Sequence, residues 1–336
     1  METLQPAGKR DYLIDNLKFI LIVLVVIGHF YGAYMDQNRF FKVLTTCIYF
    51  FHMPLFVFIS GCFSKPENDS NSYKLTSAIL LPYIFFCLMW DLKEAVHFKT
   101  FSFNIFNPPY HLWYLLCLFL WKLSIPIINR IKYPFIASLA ISVLIGLNAT
   151  IGYSAVLSRA FGLLPFFVLG VICPLSRIHT IHQKKFLMPF GILIILIGAY
   201  CILYLNNINF RTLLWDESYH SEGFSNLKGA LNRIGLFFSV VLIGISFIIL
   251  TPSKKVFFTS AGSRTLPIYI FHGFFFPTFL AHFSKWNLNI VDNFVIIAFP
   301  IALIYLLSLT AFEKFYKKIE FFLSRLFLIK KNTPLK

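Results

Sequence analysis

Large apolar side chains fall into long runs separated by short polar breaks along almost the whole chain. Runs able to cross roughly 30 Å of hydrocarbon at 1.5 Å per residue stand at about 16–35, 43–62, 75–92, 110–129, 134–150, 156–173, 187–205, 230–250, 265–282 and 291–311. This pattern predicts an all-α polytopic membrane protein with ten transmembrane helices. The third and fifth runs are the weakest, being short, and one begins among Ser and Thr. The longest interval between runs, about 206–229, leaves no room for a soluble domain. Three parts follow: an N-terminal segment 1–15, a transmembrane domain 16–311, and a basic tail 312–336. The tail mixes Phe and Leu with Lys in EKFYKKIEFFLSRLFLIKK, as an amphipathic stretch lying on an anionic inner leaflet does.

Composition supports the membrane reading, with 58% hydrophobic and only 13% charged residues, far from the balance of soluble chains. A net charge of +16 would suggest nucleic acid in a soluble protein. Here the basic residues sit mostly in short loops, where they set topology, so no nucleic-acid partner is expected. Alternating sides across ten crossings assigns 20 of the 30 Lys and Arg to the side of both termini and 8 to the other, which places both termini in the cytoplasm. Six Cys without paired spacing read as small apolar packers, so neither a disulfide framework nor a metal site is implied. Asp11, Asp15 and Lys18 surround the first run and no small-residue cleavage site follows, so a removed signal peptide is not expected.

Polar side chains inside apolar runs carry the candidate chemistry, because exposing them to lipid costs several kcal/mol. In the first run Lys18 and His29 lie eleven residues apart, hence within about 20° of azimuth and about 16 Å along a helix. Asp15 and Asp36 fall near the same line, so this face should turn towards a protein-lined cavity. His29 is the leading candidate for a general base, able to take a proton from an acceptor hydroxyl; a histidine hydrogen-bonded across helices for structural reasons is the competing reading. His52 and Pro54 make a polar notch in the second run, since Pro54 deprives the carbonyl four residues back of its donor. That notch holds either substrate or a water. His111 and Trp113 open the fourth run at the interface, and Arg159 opens the sixth, where it either snorkels or meets an anion. Tyr269 and His272 in the ninth run share a face.

Four stretches, YLIDNLKFILIVLVVIGH, FHMPLFVFISG, HLWYLLCLFLW and LPIYIFHG, with SRAFGLLPFFVLG beside them, together resemble membrane-bound acyltransferase family 3, and within it the fucose 4-O-acetylase-like sugar O-acetyltransferases. They run over about residues 12–310. The resemblance implies ten transmembrane helices in the cell membrane and transfer of an acyl group, acetyl first, from cytoplasmic acyl-CoA to a hydroxyl of a cell-surface or lipid-linked glycan. It is compatible with a homo-oligomer. The family's essential first-helix His falls on His29. Its first-helix Arg corresponds to Lys18, which keeps the charge without the bidentate fork. The Arg-x-x-Arg pair that many members carry before the third span is replaced by YKLTSAILLPY, with Lys74 alone. Either basic residues such as Lys65, Lys254, Lys255 or Arg264 take over the CoA phosphates, or the donor is not ordinary acyl-CoA.

These implications combine into one expected mechanism. CoA would lie near Lys18, Lys74 and Arg264, with the acceptor held by His52, His111, Trp113, Asp36 and Arg159. His29 would act as base, with Tyr269 and His272 orienting the acceptor or stabilising the oxyanion. A glycan transporter or flippase is the main rival, because it too needs a polar first helix and helices broken at Pro54, Pro165 and Pro267.

Overall fold

A computed structural model describes residues 10–64, 69–99, 101, 103–109, 111–148, 155–205, 210–283 and 290–329. Lys65, a candidate for the CoA phosphates, lies outside the described residues, as do 1–9 and 330–336 of the terminal segments. All regular structure among the described residues is helical.

Two long antiparallel rods open the chain. Helix α1 (Tyr12–Gly32) is capped by Asp11, whose carboxylate accepts from the Ile14 amide, and α2 (Arg39–Cys62) by Asn38, which accepts from the Phe40 amide. Helix α2 runs through Pro54 as one helix. Helix α3 (Asp69–Leu75), a π-turn (Thr76–Leu80) and α4 (Leu81–Phe98) join into a third rod. Then come α5 (Trp113–Leu123), α6 (Ile125–Ile128), α7 (Pro134–Ile145), α8 (Ala155–Gly162), α9 (Leu164–Ile172), α10 (Leu175–Gln183) and α11 (Met188–Tyr200). The chain closes with α12 (Asn226–Leu250), α13 (Thr265–Phe283), α14 (Ile290–Leu307) and α15 (Thr310–Phe327).

The expectation of ten crossings does not survive. Among the described residues five helices are long and apolar enough to span a bilayer: Tyr12–Gly32, Arg39–Cys62, Ser72–Val96, Lys185–Leu203 and Asn226–Leu250. Counting two sharply bent pairs, Leu164–Ile172 with Leu175–Gln183 and Asp292–Leu307 with Thr310–Phe327, raises the number to seven. Helix α5 has 11 residues and α7 has 12. At 1.5 Å per residue these reach about 17–18 Å, well short of the hydrocarbon thickness. The run 110–129 is interrupted at Ser124 before Pro126, and the run 156–173 at Leu163 before Pro165. Summed hydropathy passes over such breaks because the residues on both sides are apolar. An alternation of sides counted over ten crossings falls with them, and so does the placement of both termini on one face that it supported.

The core is built around α1, which packs against α2, α13, α14 and the 3₁₀ turn Thr259–Arg264. Asn16, fully buried, donates to the carbonyls of Pro252 and Lys254 and accepts from the Thr259 hydroxyl, tying the start of α1 to that turn. Helix α2 lies against α9, where Gly61 and Gly170 meet with no side chain between the two backbones. This packing sets the polar faces of α1, α2 and α13 towards one another.

Candidate active site

A cavity of about 140 Å³ opens between the C-terminal part of α1, the middle of α2, and α5, α8 and α13. His29, Tyr49, His52, Trp113, Arg159 and Tyr269 line it, and Phe210, Leu213, Leu214 and Trp215 close it from the segment after α11. Tyr49 stands between the two histidines, its ring centroid 6.3 Å from that of His29 and 4.8 Å from that of His52.

Backbone carbonyls assign the histidine tautomers. Because a carbonyl only accepts, the 3.2 Å contact of His272 Nδ1 with the Ile268 oxygen puts the hydrogen on Nδ1. Neutral His272 therefore presents an accepting Nε2, and His29 Nδ1, 2.9 Å away, is the donor to it. The lone pair of neutral His29 is then on Nε2, the configuration a general base requires. His272 is fully buried and lies behind His29, so it holds the ring. In the same way His52 Nδ1 donates to the Ile48 carbonyl at 2.8 Å, leaving an accepting Nε2. His111 donates from Nε2 to the Ile270 carbonyl at 3.0 Å, and its own backbone oxygen accepts from the Tyr269 hydroxyl.

A second cavity, about 350 Å³, lies towards the start of α1, between Lys18, Ser60, Tyr114, Lys122 and Thr265. Tyr269 lines this cavity as well as the first. Beside it, Tyr114 shares a 2.5 Å hydrogen bond with Ser60 and its ring lies 5.5 Å from that of Tyr269. The two spaces thus approach a common aromatic wall from opposite ends of α1.

The structure brings His29, His52, Trp113, Arg159 and Tyr269 to one cavity and sets His272 and His111 directly behind it. Lys18 lines the second cavity, 3.1 Å from the Asp15 carboxylate. Lys74 is exposed and does not line that cavity. Arg264 is engaged by Ser260 and lies 3.9 Å from Glu313, also off the cavity. Asp36 is exposed in the turn after α1, because the helix ends at Gly32 and its azimuthal line is not continued. Tyr49 and Lys122 were missed from sequence: an aromatic in an apolar run and a lysine near a run's end carry no local signal of function. Among the described residues no group of three or more His, Cys, Asp or Glu is placed to hold a metal ion.

Beyond Trp215 the covering segment is itself charged. Arg159 donates to Asp216 at 2.5 Å and lies 4.9 Å from the Trp113 ring centroid. Burial raises the Asp216 carboxyl above its ordinary value despite that guanidinium. Burial also pushes Glu222 from 4.5 up to about 7, against the opposing pull of Arg233. The folded chain therefore keeps a proton on Glu222 that the unfolded chain releases above pH 4.5. Its contribution makes the fold less stable as pH rises from 4.5 through about 7, with no further change above. Thermal unfolding followed across that range should show a steeper decline in the wild type than in Glu222→Gln; parallel slopes would show that Glu222 does not titrate in this way.

A family model described as an acyltransferase domain matches residues 11–312. Nodulation protein NolL of Mesorhizobium japonicum is 27% identical over 313 residues, covering 84% of this chain and 82% of that protein. Nodulation protein NolL of Sinorhizobium fredii is 28% identical over 210 residues, covering 55% of each. No solved structure matches.

Proposed function

The chain belongs to this acyltransferase domain family, and on that premise we propose that it transfers an acetyl group from acetyl-CoA to a hydroxyl of a cell-surface or lipid-linked glycan, like the fucose 4-O-acetylase-like branch. The observation that carries the reading is the pair of cavities that share Tyr269, one holding His29 and the other Lys18 and Lys122. Two lysines suit the phosphates of CoA, whereas the histidine- and aromatic-lined cavity suits a sugar, whose apolar faces stack on rings while its hydroxyls take hydrogen bonds.

In this reaction the acceptor hydroxyl gives its proton to His29 Nε2 as its oxygen attacks the thioester carbonyl carbon. Collapse of the tetrahedral intermediate breaks the carbon–sulfur bond, and the proton passes from His29 to the departing CoA thiolate. His272 holds the tautomer by accepting from His29 Nδ1. His52, with its accepting Nε2, receives a hydroxyl of the sugar. Arg159, on the same wall, binds the acceptor, and Tyr269, whose hydroxyl is given to the His111 carbonyl, orients it with its ring. The transferase domain, residues 16–311, sits in the cell membrane. The tail from 312, as far as 329, lies along its surface, a placement supported by the 61° bend between α14 and α15 and by the exposed Phe321, Phe322, Leu326 and Phe327.

Incubating membranes that carry the chain with labelled acetyl-CoA and a cell-surface glycan fraction tests the reading. Label should appear on the glycan as an alkali-labile ester. Movement of unlabelled glycan across the membrane without ester formation would make the chain a transporter instead. In the same assay Lys18→Gln should raise KM for acetyl-CoA by about five- to tenfold with kcat little changed, and Lys18→Arg should restore it. An unchanged KM in Lys18→Gln removes the lysine from donor binding.

A further inference from the structure

Arg159 is the only Arg, Lys, Asp or Glu on the His29 cavity wall among the described residues, and its partner comes from outside the helix bundle. That partner, Asp216, belongs to the segment that closes the cavity with Phe210, Leu213, Leu214 and Trp215. The closure holds several groups in costly states. Trp215 takes φ 60°, the left-handed region that a bulky non-glycine residue rarely occupies. Its indole Nε1, the Oδ1 of Asp216 and the Oε1 of Glu222 are all buried without a hydrogen-bond partner. Only one oxygen of Asp216 is therefore satisfied, by Arg159, at a guanidinium built to take two.

A cover strained at its backbone, with buried polar atoms left unpaired and joined to the cavity wall through one carboxylate, is poised to exchange that carboxylate for a better anion. We propose that Asp216 stands in for an anionic group of the acceptor, a phosphate or a carboxylate carried by the sugar, and that such an acceptor displaces Asp216 from Arg159 and opens the 210–216 cover. Arg159 then fixes the anion while Trp113, stacked on its guanidinium, and Tyr49 flank the sugar beside His29. Binding is selective because a neutral sugar leaves the Arg159–Asp216 latch closed. This inference rests on the first cavity being the acceptor site, though not on the identity of the donor.

The test uses the full chain in lipid nanodiscs, with intrinsic tryptophan fluorescence reporting through Trp113 and Trp215. Glucose 1-phosphate, glucuronate, glucose and inorganic phosphate are titrated in turn. Asp216→Asn removes the competing charge at constant shape, so Kd for glucose 1-phosphate or glucuronate should fall by about tenfold or more, with glucose unchanged. Whichever of the two anions gains more identifies phosphate or carboxylate as the recognised group. An affinity for both anions within twofold of wild type, an equal gain for glucose, or inorganic phosphate binding as tightly as the sugar anions would each overturn the proposal.

Hydrogen exchange of the wild type supplies a second readout that needs no variant. A sugar anion should speed exchange over 211–217, and glucose should not; no change with either anion, or the same change with glucose, overturns the idea. Binding is read without acetyl-CoA, so the two readings fail separately. Acetyl transfer without anion-selective binding sinks this inference alone, and anion-selective binding without transfer sinks the acyltransferase mechanism alone.

Discussion

His29→Ala is expected to lower kcat/KM for acetyl transfer by about a thousandfold, the middle of the range that a positioned general base supplies. The expectation rests on the relay in which the Ile268 carbonyl fixes His272 and His272 fixes His29, so that the lone pair lies on His29 Nε2. Truncation also leaves His272 Nε2 without this donor in a fully buried position, at a cost of about 1–3 kcal/mol in stability. His29→Gln separates the two effects, because its amide can still donate towards His272 while carrying no basic nitrogen. Thermal unfolding near wild type together with lost transfer in His29→Gln assigns a chemical role. Transfer above about a tenth of the wild-type rate in a correctly inserted His29→Gln protein would remove His29 as base. His272→Ala should act more weakly through ring position, and its signature is an altered pH–rate profile with KM for the acceptor preserved.

The second large effect is one of stability. Gly170→Val is expected to prevent stable assembly or to lower the unfolding temperature sharply. A Cβ at Gly170 would meet the Phe58 carbonyl oxygen and the Cys62 amide nitrogen of α2, and one at Gly61 would meet the Phe167 carbonyl oxygen of α9. These obstacles are backbone atoms, which cannot move aside as the end of a flexible side chain can. Overpacking of this kind typically costs about 1–3 kcal/mol, and more where the helices must separate. Separation would also carry α2, with Tyr49 and His52, away from α8 and Arg159, so activity should fall with stability. Unfolding in detergent micelles checks the effect, with Gly170→Ala expected between wild type and valine. A valine variant as stable as wild type would mean that the two helices do not approach this closely.

The apolar runs by themselves determined that this chain is a helical, multi-pass membrane protein. They also made His29, His52 and His272 candidates, because an imidazole in an apolar run has to find a protein-lined place, and that requirement is local. The resemblance carried by the same stretches gave the family, and the family model over residues 11–312 agrees with it. What the runs could not give is where a helix stops within apolar sequence. The breaks at Ser124 and Leu163 leave hydropathy almost unchanged but divide spans, and the count of ten fell there.

Relations between helices were decided only by tertiary structure. Azimuth along α1 placed Lys18 and His29 on one line, yet Asp36 left that line once the helix ended at Gly32. Nothing local to α13 says that His272 stands behind His29, that Tyr269 faces two cavities, or that Asp216 latches Arg159 from a covering segment. Those contacts join residues far apart in sequence, and they are fixed by how close the backbones come at Gly61, Gly170 and Gly262. Periodicity along one helix reports which face is polar; the packing angle and depth against its neighbours decide what that face meets.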